Sequence, residues 1–68
     1  MQLYRVLTGP DDSAFCARVE GLLNQGWQLH GSPSITIVDG RGYVAQAIVM
    51  EKAGAYPGFL PSSEITAD

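Results

Sequence analysis

The spacing of hydrophobic and polar positions changes along the chain, and each change marks a predicted secondary-structure element. The segment "QLYRVLTG" is rich in residues that favour β-structure, and Gly9-Pro10 ends it, which predicts a first strand. Phe15, Val19 and the pair Leu22-Leu23 then recur at helical spacing. We therefore predict that an amphipathic helix follows the first strand and buries this stripe.

The predicted helix carries a signal at each end. Asp11 or Asp12 can accept hydrogen bonds from the first free N–H groups, and Gly26 can adopt the left-handed conformation that often ends helices. Cys16, which follows Phe15, is expected at the buried edge of the stripe as a small apolar residue. The helix is thus expected to end just before Trp27.

Two further strands are predicted after the helix. "WQLHGSPSITIVD" and "YVAQAIVMEK" look extended, and "DGRG" between them is a hairpin signal. Gly31-Ser32-Pro33 interrupts the first of these strands and predicts a bulge or kink. The order indicates an α+β fold with a three-stranded sheet and one helix on one face. The first strand can run parallel or antiparallel to its neighbour, and the strand order stays open.

Both faces of the last strand are apolar. One face carries Tyr43, Ala45, Ala47 and Val49, and the other carries Val44, Gln46, Ile48 and Met50. An antiparallel sheet with one solvated face normally alternates apolar and polar residues. Because one helix covers only one face, we expect a homo-oligomer in which the second face, or a strand edge, meets another subunit.

The length of the chain strengthens the expectation of an oligomer. The chain has 68 residues, and a single core in a chain below about 70–80 residues rarely supplies more than about 3–5 kcal/mol. The one cysteine excludes an internal disulfide. The single histidine and single cysteine also show no metal-ligand spacing, so no metal is expected. Oligomerisation is the stabilising device that remains.

Charge and hydropathy narrow the partners. The formal net charge is −3, and the four basic residues are scattered, so no nucleic acid is expected. No apolar run approaches the roughly 20 residues of a membrane span, and "MQLYRV" does not begin a signal peptide. We expect a cytoplasmic protein with no cofactor and no membrane partner.

The composition changes after Lys52. We predict a compact domain over residues 1–52 and a Gly/Pro-rich C-terminal tail or docking arm over residues 53–68. Tyr56, Phe59 and Leu60 are large apolar residues that solvated tails seldom contain. They favour packing of "YPGFLP" on a neighbouring subunit or a partner.

A distributed set of residues resembles one small bacterial family. Tyr4, the corner Thr8-Gly9-Pro10, Phe15, Val19 and above all "GWQLHG" are similar to the domain of unknown function 1737, over about residues 3–49. The resemblance implies a fold but no established activity and no assigned functional residues. Element order and size are also similar to those of dodecins, compact oligomers that hold flavins between subunits, without a shared motif.

The segment "GWQLHGSPS" is the best place to look for a site. Trp27 is expected either to pack on Leu22 or Leu23 or to stack on a ligand. His30 should point to the other face and is expected to hydrogen-bond at an interface, to bind a ligand or to act as a general acid or base. The candidate ligand-binding or interface residues are Tyr4, Arg5, Trp27, His30, Ser32 and Ser34.

These observations predict a non-enzymatic, small oligomeric binding or interaction module. It would bind a protein partner or a small ligand at a subunit interface. The alternative is a small enzyme with an interfacial active site that uses His30, together with Arg5 or Tyr4. Nothing near His30 resembles a nucleophile elbow or a catalytic-cysteine motif, so no catalytic residue is assigned.

Overall fold

A computed structural model describes residues 1–59; the predicted role of Leu60 falls outside this range. The elements are β1 (Gln2–Pro10), α1 (Ser13–Leu23), β2 (Gln28–Val38) and β3 (Arg41–Glu51). The sheet order is β1-β3-β2, and β3 pairs antiparallel with both neighbours. The predicted α+β order and the three-stranded sheet with one helix are confirmed, and the last strand takes the central position.

The ends of α1 are formed as the sequence predicts. The Asp12 carboxylate Oδ1 accepts a hydrogen bond from the Phe15 backbone N–H at 2.9 Å, which identifies Asp12 as the capping residue. Gly26 has a φ of 107°, in the region that glycine adopts without strain. The chain then turns back, and the Trp27 backbone N–H donates to the Leu22 carbonyl at 3.1 Å. This turn places the indole against the last helical turn.

A tight turn joins β2 to β3. Asp39 and Gly40 both have positive φ values, 50° and 76°, as a two-residue hairpin turn of the primed type requires. The hairpin predicted from "DGRG" is therefore confirmed, and it fixes the antiparallel register from Val38 opposite Arg41 onward.

The predicted interruption of β2 is a bulge. His30 pairs with Ala47 and Ser34 pairs with Ala45, so three residues of β2 lie opposite the single residue Gln46. The Gln46 side-chain amide is 5% exposed and donates to the carbonyls of Gly31 at 3.3 Å and Ala47 at 2.8 Å. The bulge explains why a glutamine occupies an otherwise apolar face, since its amide binds carbonyls near the disrupted pairing.

The core lies at one end of the sheet. Leu3, Trp27 and Ile48 are the buried hydrophobic residues of the described chain, and Leu22 and Met50 pack against them. Ile48 therefore faces the helix side, and its neighbour Val49 faces the opposite side. The sequence had left open which of the two points outward.

The helix lies over β1 and stands away from the sheet centre. No residue of α1 is buried, although Phe15, Val19 and the Leu22-Leu23 pair are half-buried as the stripe predicts. The prediction that Cys16 is a buried filler is wrong, because its thiol is exposed. Successive helical residues are rotated by about 100°, which carries Cys16 away from the side of the helix that Phe15 presents to Gly9.

Candidate functional site

The six candidate residues lie on both sides of the sheet. Tyr4 pairs with Val49, and His30 with Ala47, on the side without the helix, which we call the open face. Arg5 and Trp27 lie on the helix side. Ser34 pairs with Ala45 on the open face, and Ser32 is exposed in the bulge. The structure thus brings together two pairs, Tyr4 with His30 and Arg5 with Trp27, rather than one constellation.

Aromatic and aliphatic side chains cover the open face around two central alanines. The Tyr4 and His30 rings meet edge to face, with centroids 6.3 Å apart and an interplanar angle of 79°. Val6, opposite Ala47, is 51% exposed. Among residues 1–59, no hydrogen bond joins the His30 imidazole to another side chain. The ring is therefore positioned by packing against Tyr4.

A shallow hollow lies over Ala45 on the open face. Its volume is about 210 Å³, and its lining includes the hydroxyl-bearing residues Thr8, Ser34, Thr36 and Tyr43. The accessible surface of the hollow is mainly apolar. The hollow lies at Ala45 because this residue presents only a methyl group between larger neighbours. The central strand is thus concave where its small residues lie.

The end of the hairpin, residues 34–45, projects from the covered part of the sheet, and we call it the arm. Ile35 and Ile37 lie on its helix side and are 63% and 68% exposed. Val38 and Tyr43 are exposed on its open face. α1 lies over β1, where Phe15 is against Gly9 at the level of Val44, so the helix does not extend across β2 of the arm.

A cleft of about 600 Å³ separates α1 from the sheet, and we call it the helix-side cleft. Apolar groups form most of its lining, namely those of Leu7, Ala17, Gly21, Leu22, Trp27 and Ile48. Arg5, Arg18 and Gln25 add long polar side chains. Within residues 1–59, no aspartate or glutamate lines it. The cleft is therefore apolar in its body and positive in its charged groups.

Both arginines of the helix-side cleft are held by backbone carbonyls and aromatic rings. Arg18 Nη2 donates to the Thr8 carbonyl at 3.1 Å, and its guanidinium lies 5.4 Å from the Phe15 ring centroid. Arg5 Nη1 donates to the Tyr4 carbonyl at 2.7 Å, and its guanidinium lies 4.3 Å from the Phe59 ring centroid. These contacts fix the two charges at defined positions along β1.

Trp27 is the main apolar group between the helix and the sheet. Its side chain is 3% exposed, and it packs with Leu3 and Ile48. The indole Nε1 is buried, and no acceptor for its N–H is present in the described part of the chain. Of the two roles expected for Trp27, the structure thus shows packing, with Leu22 as the helical partner.

The first residues of the C-terminal segment lie beside β1. Tyr56 and Phe59 line a second cleft, of about 450 Å³, together with residues of the 1–5 segment. Both aromatic side chains remain well exposed. The described contacts of this segment are with its own chain: Phe59 lies against Arg5, and the Gly54 carbonyl accepts a hydrogen bond from the N-terminal amine of Met1 at 3.3 Å. Its docking on a neighbouring subunit stays a prediction.

Arg18 is the residue of the helix-side cleft that sequence reasoning missed. The sequence held a usable signal, because Arg18 lies three residues before the helix glycine Gly21 and the two therefore share one side of the helix.

Over residues 1–59, no group of three histidine, cysteine, aspartate or glutamate side chains is placed to hold a metal ion. In the same range, no helix is long and apolar enough to cross a membrane.

Comparison with known proteins gives one result. No curated protein and no solved structure matches the chain, so the likeness to dodecins stays one of element order and size. A family model matches residues 1–51, which include all three strands and the helix. The chain therefore belongs to the family described as domain of unknown function 1737.

Proposed function

We propose that this chain is a non-enzymatic binding module that works as a homo-oligomer. The observation that carries the proposal is the arm, which exposes large aliphatic side chains on both of its sides. Ile35 and Ile37 project on one side, and Val38 projects on the other. Exposed apolar surface of this extent is typical of protein–protein contact sites.

The small core supports the same proposal. Three buried hydrophobic residues in the described chain are few for a stable single domain, and a chain of 68 residues usually needs a further stabilising device. A second copy of the chain supplies one without a disulfide or a metal. The two sides of the arm are different surfaces, so each subunit needs two contacts with other copies of the chain to cover both.

The side chains around His30 favour binding over catalysis. General acid–base catalysis needs a hydrogen bond to the reacting group or to a partner that orients the ring. Within residues 1–59 of one chain, the imidazole contacts the Tyr4 ring edge-on and shares no hydrogen bond with a serine, cysteine or carboxylate side chain. This arrangement suits a contact surface on the open face.

A charge-insertion series tests the proposed assembly. Ile37→Glu places a carboxylate on the helix side of the arm, and Val6→Glu places one on the open face. Ala14→Glu is the matched control, because it adds the same charge at an exposed position in the first turn of α1, where an acidic residue is favourable. Mass is measured by light scattering, and folding by circular dichroism.

We expect a wild-type mass of more than one chain at micromolar concentration. Ile37→Glu or Val6→Glu should lower that mass while the far-ultraviolet spectrum remains that of a folded protein. Ala14→Glu should leave the mass unchanged. A wild-type protein that remains a single 7.3 kDa chain over the whole range would overturn the proposal of an oligomer.

A further inference from the structure

We propose that the helix-side cleft binds a small molecule that joins one negative charge to an apolar body, and that Arg18 holds the negative group. The inference rests on the proposal that this chain is a binding module. It does not rest on the way in which copies of the chain assemble.

The size of the cleft suits a small molecule. Its volume of about 600 Å³ lies within the roughly 300–1,000 Å³ that small-molecule sites usually have. The side chains of Leu7, Trp27 and Ile48 give it an apolar lining. A mainly apolar cleft with a few placed polar groups is the usual form of a site for an organic ligand.

The charge of the cleft selects an anion. The chain carries a net charge of −3, yet Arg18 places a positive charge at this cleft, and no acidic residue of the described chain lines it. The Arg18 guanidinium has five N–H donors, and its bond to the Thr8 carbonyl uses one. The remaining donors form the planar fork that binds a carboxylate, sulfonate or phosphate oxygen pair.

Gly21 keeps the cleft open. Glycine inside a helix is less favourable than alanine, so its presence calls for a reason. Close packing is not that reason, because a Cβ added at Gly21 would meet no atom within 4 Å. Gly21 lines the cleft, and so does Ala17 one turn before it. A larger side chain at position 21 would instead take up part of the open space of the cleft that Gly21 lines.

A pair of fluorescent probes tests the ligand class. Anilinonaphthalene sulfonate combines an aromatic body with one negative charge, and phenylnaphthylamine has the same body without the charge. Trp27 is the only tryptophan of the chain and lines the cleft, so energy transfer from Trp27 reports that the probe is bound, and substitutions then assign the site. We expect the sulfonate to bind at least tenfold more tightly than the neutral probe.

Matched variants assign the site. Arg18→Gln removes the charge inside the cleft, and Arg41→Gln removes an equal charge at the arm, where an apolar probe could also bind. Arg18→Gln should weaken binding of the sulfonate about tenfold, as expected for loss of a hydrogen bond to a charged group, and Arg41→Gln should change it less than twofold. Equal binding of the two probes, or equal effects of the two substitutions, overturns the proposal.

Substitutions at Gly21 separate the site from general stability. Gly21→Ala should raise the melting temperature and weaken sulfonate binding a few-fold, and Gly21→Leu should abolish energy transfer from Trp27. Unchanged binding in a folded Gly21→Leu variant contradicts the assignment, and Gly21→Ala decides the matter if the leucine variant does not fold. Light scattering on the same samples keeps the two proposals apart. A monomer that shows this binding pattern overturns the oligomer alone.

Discussion

The two ends of the β2–β3 hairpin differ in cover far more than in composition. The end of the hairpin away from the arm, residues 28–33 of β2 and 46–51 of β3, is the base of the sheet. There, Ile48 is 1% exposed on the helix side, and Trp27 packs beside it. At the arm, Ile37 is 68% exposed, on the same side of the same sheet. The strands are equally apolar at both ends, but the helix lies over β1, from Phe15 against Gly9 to Leu22 beside the core, and does not extend across β2 of the arm. This chain therefore has more apolar surface than its own helix can bury.

Aromatic truncation at each end gives the largest contrast between base and arm. Trp27→Ala should lower the free energy of unfolding by about 3–5 kcal/mol, because it removes the largest buried side chain of the base and leaves a cavity. That loss is close to the whole stability expected of a chain this small. Tyr43→Ala at the arm should cost less than about 1 kcal/mol in the dissociated chain, since Tyr43 is exposed there.

Chemical denaturation measured at low protein concentration checks this pair of variants. A Trp27→Ala variant that stays folded with wild-type stability would show that the base does not depend on its indole. The pair also sharpens the comparison, because Tyr43→Ala should become more costly when the protein concentration is raised and the arm is covered.

Loss of the helix cap has a medium effect and concerns the start of α1. Asp12→Ala removes the acceptor of the Phe15 N–H and should cost about 1 kcal/mol, with an expected range of roughly 0.5–2 kcal/mol. Asp11→Ala is the control, since the Asp11 carboxylate accepts no bond from the helix. Thermal unfolding followed by circular dichroism measures both. Equal shifts in the two variants would contradict the assignment of Asp12 as the cap.

The smallest expected effect lies at Phe59. Phe59→Leu removes the ring above the Arg5 guanidinium but keeps an apolar side chain, and should cost about 0.5–1 kcal/mol at most. The same thermal measurement checks it. A larger loss would mean that the segment after Lys52 contributes to the base as a structural element, and the predicted boundary at residue 52 would then need to move.

The sequence predicted the features that depend on local geometry. A cap at Asp11 or Asp12, the positive φ at Gly26 and the Asp39-Gly40 turn each follow from what one or two residues can adopt, and the structure identifies Asp12 as the cap. The two faces of β3 follow from strand alternation, and the bulge follows from Gly31-Ser32-Pro33. The strand order did not follow, because an α-helical connection is compatible with either neighbour for β1.

The helix-side cleft was out of reach of sequence reasoning for the same reason. It joins Arg5 on β1, Arg18 on α1 and Ile48 on β3, and only the order β1-β3-β2 brings these three together. The error at Cys16 has a related cause, since hydrophobic spacing shows which side of a helix is apolar but not how closely the helix approaches the sheet. The contact of Phe59 with Arg5 lies in a segment without periodicity.

Hydrogen–deuterium exchange resolved along the chain tests most directly whether other copies cover the arm. Amides of the described elements are compared between the arm, residues 34–45, and the base, at high and at low protein concentration. We expect arm amides to be as protected as base amides at high concentration. On dilution, exchange of the arm amides should become faster before that of the base amides does. Fast exchange in the arm at every concentration, with a protected base, would contradict the account.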